Sequence, residues 1–170
     1  MAMFKLRKEQ EGLRVNGRLD QATINMTFDT EEMLVDQFVG LLEMNETPWG
    51  MVRFAREFNY SRGRTDVIVV ESTDRLIAVE AKLTDWRQAL HQAYRNTCFA
   101  HRSFVLLPKR TAFKALSFLV EFERRGVGLC YLGDAGVTIL HDSPCSVPIE
   151  PWLSSEALSM VNHELCGAYA

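Results

Sequence analysis

The sequence predicts an α/β protein built on a mixed β-sheet, with helices on both faces of the sheet. Three observations predict it. Residues 51–82 hold three strand-like runs divided by polar turns, so the early strands pair as hairpins. An amphipathic stretch then leads into the short apolar run "SFVLLP", which reads as a strand–helix–strand crossover. Two further short strands and a final helix follow, an order that places helices against both faces of one sheet. The 170 residues fit one domain, 1–170, with a full hydrophobic core.

Residues 1–28 carry no clear period, and Gly12 and Gly17 mark turns. A helix follows, with Asp29 as N-cap and Glu32 three residues on as a capping box. Leu34, Phe38, Leu41 and Leu42 recur at helical spacing, and "NETPWG" stops the helix. "MVRFAREFNY", residues 51–60, alternates as a strand, and "SRGR" is a turn. Two apolar strands at 65–71 and 76–82 flank the turn "STDR". Thr84 caps the next helix, with Asp85 in the first turn, where the helix dipole favours an acid. Its apolar stripe is Trp86, Ala89, Leu90, Ala93 and Tyr94. A buried strand at 103–108 leads to a helix from 110 to 125, with Phe113, Leu116, Leu119 and Val120 on one side. Arg124, Arg125 and Gly126 form a basic last turn and a glycine stop. "VGLCYL" and "GVTIL" are strands, and a last helix begins at Ser154 or Ser155.

Composition narrows the function. No apolar run approaches the ~18–20 residues that a membrane helix needs, and the charged start "MAMFKLRKEQEG" offers no signal-peptide core. The expected location is cytoplasmic. Cys98, Cys130, Cys145 and Cys166 form no CxxC pair and read as reduced thiols. The net charge of −3 is unevenly spread: residues 51–125 carry fourteen basic and eight acidic side chains, while 20–50 carry seven acidic and no basic ones. The central segment is therefore the positive one, which suits either a phosphate-rich partner or an ordinary solvated face.

That segment contains "DVIVVESTDRLIAVEAK", Asp66 to Lys82. A hairpin turn centred on Thr73 and Asp74 sets Asp66 opposite Glu80 or its neighbour, on one face and close enough to share a ligand. Strand alternation sends Glu80 and Lys82 to one face, and Val79 and Ala81 to the other. Two adjacent carboxylates repel unless a proton or a cation intervenes. Mg²⁺ suits such a pair, because it binds one or two carboxylates and keeps waters for substrate. A neighbouring ammonium group can position a water or balance charge on a phosphate.

Asp66, thirteen spacer residues, then Glu80-Ala81-Lys82 resembles the D…(D/E)-x-K signature of the PD-(D/E)XK nuclease superfamily, which has the restriction-endonuclease-like fold. The resemblance covers residues 30–108, and 109–170 would be a C-terminal elaboration. "TDWRQALHQAYRN" is similar to the glutamine-bearing helix that follows the motif in many members. There Gln92 takes the glutamine place, with Gln88 as the alternative, and Asn96 stands where a tyrosine is common. Thr65 replaces the proline of "PD". The resemblance implies that Asp66, Glu80 and the Ala81 carbonyl hold Mg²⁺ or Mn²⁺, with Glu31 completing the set from the first helix. It further implies that Lys82 orients the attacking water, that Gln92 steadies the site, and that the reaction is hydrolysis of DNA phosphodiesters. A catalytically inactive nucleic-acid-binding or regulatory module is the alternative, as is a subunit active only in an assembly. The expected partners are DNA and a second copy or an accessory protein, with no membrane.

Arg62 and Arg64 precede Asp66 directly and are placed to meet a phosphate backbone. Arg87, His91 and Arg95 recur every four residues, as a phosphate track or as a solvated helix face. In the tail, His141, Cys145, His163 and Cys166 have ligand-like spacings for zinc, against the plainer reading of buried cysteines.

Overall fold

The structure, a computed structural model, describes residues 27–61 and 63–167, with side chains through His163. Six strands lie in one sheet in chain order: β1 (Arg53–Tyr60), β2 (Gly63–Val70), β3 (Leu76–Ala81), β4 (Arg102–Pro108), β5 (Gly128–Gly133) and β6 (Gly136–His141). β1, β2 and β3 are antiparallel neighbours. β3, β4 and β5 are mutually parallel, and β6 returns antiparallel to β5. The sheet is mixed, as the order of hairpins and crossovers predicts.

Every residue of β3 is buried. "LIAVEA" is a near-continuous apolar run because this strand is covered on both faces. On one face, Val67, Val69, Ile77, Val79 and Ala81 pack with Leu34, Phe38 and Leu42 of α1 (Glu31–Glu43). On the other, Ile68, Val70, Leu76 and Ala78 pack under α5 (Pro151–Gly167). Further along that second face, Val105, Leu107 and Leu129 meet α2 (Trp86–Asn96), α3 (Lys109–Leu116) and α4 (Leu119–Arg125).

The helix boundaries correct several expectations. Thr30, not Asp29, caps α1: its backbone is extended and its hydroxyl accepts from the Met33 amide at 3.1 Å. Asp85, not Thr84, caps α2, accepting from the Gln88 amide at 3.0 Å. Tyr94 is half exposed, and Asn96 takes a buried place on that helix instead. The helix expected over 110–125 is broken at Ser117–Phe118. There Phe118 leaves helical geometry and its ring stacks on Trp86, with centroids 5.1 Å apart. The break changes the buried face: Ala112, Ala115 and Phe122 are inside, while Phe113 and Val120 stay exposed. Gly126 does end α4, in the left-handed conformation at φ 63° that favours glycine. α5 starts at Pro151, before Ser154, because proline is preorganised for the first helical position. Gly12 and Gly17 lie outside the described residues.

Candidate functional site

β2 pairs with β3 so that Val67 faces Val79 and Ile68 faces Ala78. One step further, the same register sets Asp66 beside Glu80. Both acids belong to the face that carries Ile68 and Ala78, and they meet at the end of the sheet where β3 finishes. The Ala81 amide donates to Asp66 Oδ2 at 2.9 Å, which ties the end of β3 to the middle of β2 and orients the aspartate. Glu80 has no exposed surface. Its Oε1 accepts from Asn96 Nδ2 of α2 at 2.6 Å, and Asn96 Oδ1 accepts from the Tyr60 hydroxyl at 2.6 Å. Among the described residues, Glu80 Oε2 is buried without a hydrogen-bond partner.

Lys82 lies one residue past β3. Its amide still bonds the Leu106 carbonyl of β4 at 3.2 Å, but its long side chain turns to α1, where its Nζ bonds Glu31 Oε2 at 2.5 Å. That helix packs on the Val79 and Ala81 face. The two charged groups of "EAK" therefore address helices on opposite faces of the sheet, so the expected shared face holds Asp66 and Glu80 but not Lys82. The Lys82 charge still acts on both acids. Glu31, the predicted acid from the first helix, is brought to the site through this ion pair.

The electrostatics follow from burial. Desolvation raises the Asp66 carboxyl above its ordinary range, against the opposing pull of the Ala81 amide, Lys82 and Arg64. Glu80 is pushed up to about 8, first by burial and then by the Asp66 charge, while the Asn96 hydrogen bond, Lys82 and Arg95 act the other way. The paired acids thus favour a proton or a cation between them. The donors are hard oxygens, one of them a buried carboxylate oxygen without a partner among the described residues, and this fits Mg²⁺ or Mn²⁺. Among the described residues, no group of three or more His, Cys, Asp or Glu side chains gathers as a metal cage. An ion on the Asp66–Glu80 pair would complete its shell from backbone, water and substrate.

The other candidates are dispersed around this centre. Gln92 sits one turn before Asn96 on α2, and its Oε1 is buried without a partner among the described residues. The Arg95 guanidinium lies over Gly63, where a Cβ would come within 3.6 Å of Nη2. Arg64 makes an exposed 3.5 Å pair with Glu57. Arg87 lies over the rings of Trp86, at 4.1 Å, and Phe118, at 4.8 Å. His91 is exposed on α2, and Arg62 lies outside the described residues. His141 ends β6, Cys145 is exposed in the segment beyond it and His163 is on α5. They form no metal cluster among the described residues, and the Cys166 side chain lies outside them. Asn96 and Tyr60 are the site residues that sequence reasoning passed over. Asn96 was visible only as a departure from the expected tyrosine, and Tyr60 comes from a different strand.

No family model matches the chain, and no curated protein matches it. Among solved structures, it is similar to SPO1766, a protein of unknown function from Silicibacter pomeroyi. The TM-score is 0.58 at 14% identity, over 82% of this chain and 89% of that one. This likeness shows a shared fold. SfsA of Pyrococcus furiosus, solved in complex with Ca²⁺, aligns with a TM-score of 0.41 at 13% identity, over 68% of this chain and 65% of that one. Among the described residues, no helix is long and apolar enough to cross a membrane.

Proposed function

We propose that this chain is a divalent-metal-dependent deoxyribonuclease of the PD-(D/E)XK superfamily, with a restriction-endonuclease-like sheet. One observation carries the reading: the β2–β3 register aligns Asp66 with Glu80 at the sheet end where Lys82 emerges. Asp66, Glu80 and the Ala81 carbonyl would hold Mg²⁺ or Mn²⁺. When bound, such an ion would supply Lewis acidity for phosphodiester hydrolysis. Asp66 is oriented by the Ala81 amide, and Glu80 by Asn96. Lys82, steadied by Glu31, donates hydrogen bonds that orient the water and offset charge growing on the phosphate. Gln92, on the helix that lies over the acids, steadies the site. Arg64 and Arg95 offer guanidinium groups beside it for the neighbouring phosphates.

A second reading has its own support. Lys82 and one oxygen each of Asp66 and Glu80 already have partners within the chain, as in a nucleic-acid-binding module that does no chemistry. A cleavage assay separates the two. The full chain is incubated with Mg²⁺ or Mn²⁺ and single-stranded, duplex, nicked or branched DNA, beside Lys82→Ala. Cutting by the wild type that the variant loses supports the nuclease. Tight metal-independent binding without cutting supports the module, and cutting that survives in the variant removes Lys82 from the mechanism.

A further inference from the structure

Glu80 sits at the buried end of a polar chain that begins, partly buried, on another strand. The Tyr60 hydroxyl donates to Asn96 Oδ1, and Asn96 Nδ2 donates to Glu80 Oε1, each at 2.6 Å. Asn96 and Glu80 are both fully buried. A carboxamide has one accepting and one donating end, so its two ends cannot be exchanged without loss. The phenol takes the accepting end and thereby leaves the donating end for the carboxylate. Tyr60 is itself fixed: its ring stacks on Phe58 at 5.9 Å and meets Phe99 edge-on at 5.3 Å. Donation to Oε1 sets the carboxylate plane and favours its ionised form. Oε2 is left buried and without a partner among the described residues.

We infer that Tyr60 and Asn96 are positioning residues that hold Glu80 with Oε2 presented to a divalent cation. The inference rests on the reading of Asp66 and Glu80 as a cation site. Groups that orient a metal's ligands are tuned with it, and their loss typically weakens affinity by about ten- to a hundredfold. The chain joins β1, α2 and β3, so the ligand geometry is built from three separate elements.

The test is a calorimetric titration of the full-length protein with MnCl₂ at neutral pH. It compares wild type, Glu80→Gln, Asn96→Ala and Tyr60→Phe, with thermal melts on each. Glu80→Gln should abolish binding. Asn96→Ala should raise Kd about tenfold or more at unchanged stoichiometry. Tyr60→Phe keeps both ring contacts and removes the hydrogen bond to Asn96, so it should raise Kd about fivefold. A purely structural role would lower the melting temperature and leave Kd where it was. Wild-type Kd in both Asn96→Ala and Tyr60→Phe, with binding lost in Glu80→Gln, overturns the relay and leaves the cation site standing. Wild-type affinity in Glu80→Gln overturns the cation site and the relay with it. If Asn96→Ala does not fold, Tyr60→Phe decides alone, and an unchanged Kd there overturns the inference.

Discussion

A buried acid beside a second acid is costly unless something shares its charge, and Glu80 shows the consequence. Its carboxyl is pushed up to about 8 from an ordinary 4.5, by burial first and Asp66 second. The folded chain without a cation therefore binds a proton at Glu80 that the unfolded chain releases near pH 4.5. The stability this proton brings is complete below that value and is lost as pH rises through about 8. Glu80→Gln keeps an acceptor for Asn96 and has nothing to titrate. Its melting temperature should match the wild type near pH 5 and exceed it at pH 9. The difference should be worth a few kcal/mol, because each tenfold change in proton affinity on folding is worth about 1.4 kcal/mol. Mg²⁺ at pH 8 should raise the wild-type melting point and leave Glu80→Gln unmoved. Parallel melting curves across this range would mean that Glu80 does not titrate there. Lys82→Ala should reduce cleavage about a hundredfold or more. The fold should survive it, since the partly exposed Lys82–Glu31 pair is worth about 1 kcal/mol or less. At this scale Asp66, Glu80 and Lys82 stand out in the sequence as charges inside an apolar hairpin, but strand alternation gave Lys82 the wrong face, since it reaches Glu31 of α1. Asn96 and Tyr60 do not stand out. Their contact spans 36 positions, and no local period encodes it.

Elements were legible wherever one signal dominated. The hairpin strands and the glycine stop at Gly126 follow from alternation and from the left-handed conformation. Boundaries failed where two neighbours could serve equally well: Asp29 and Thr30 are both good caps, as are Thr84 and Asp85. The break between α3 and α4 depends on the stack of Phe118 against Trp86, a tertiary contact that overrides a continuous helical pattern. Two substitutions test this level. Asp85→Ala removes the cap of the helix that carries Gln92 and Asn96, and should cost about 1 kcal/mol in urea denaturation. Gly128→Ala should be worse, in the range of about 1–3 kcal/mol or beyond. A Cβ at that position would lie 2.4 Å from the Phe104 ring, which is fully buried and has little room to yield.

The whole molecule assembles the site from parts that are distant in sequence. Hairpin pairing aligns Asp66 with Glu80, the crossover lays α2 against them, and α1 brings Glu31 to Lys82 from the opposite face. The hairpin and the crossover could be foreseen from element order, and the strand order matches it. The approach of α1 from the other face could not, because it depends on how the whole layer packs. The excess of basic residues in 51–125 makes a second statement at this scale. Arg64→Glu and Arg95→Glu should each weaken DNA binding, and each should reduce the dependence on salt by about one phosphate contact. Unchanged affinity across a salt series would remove that arginine from the DNA surface. The most direct test of the central claim is the anomalous difference map of crystals soaked in Mn²⁺. A peak within about 2.5 Å of both the Asp66 and Glu80 carboxylates is the predicted result. Well-ordered Asp66 and Glu80 side chains with no peak between them, at a Mn²⁺ concentration that occupies other sites, would contradict it.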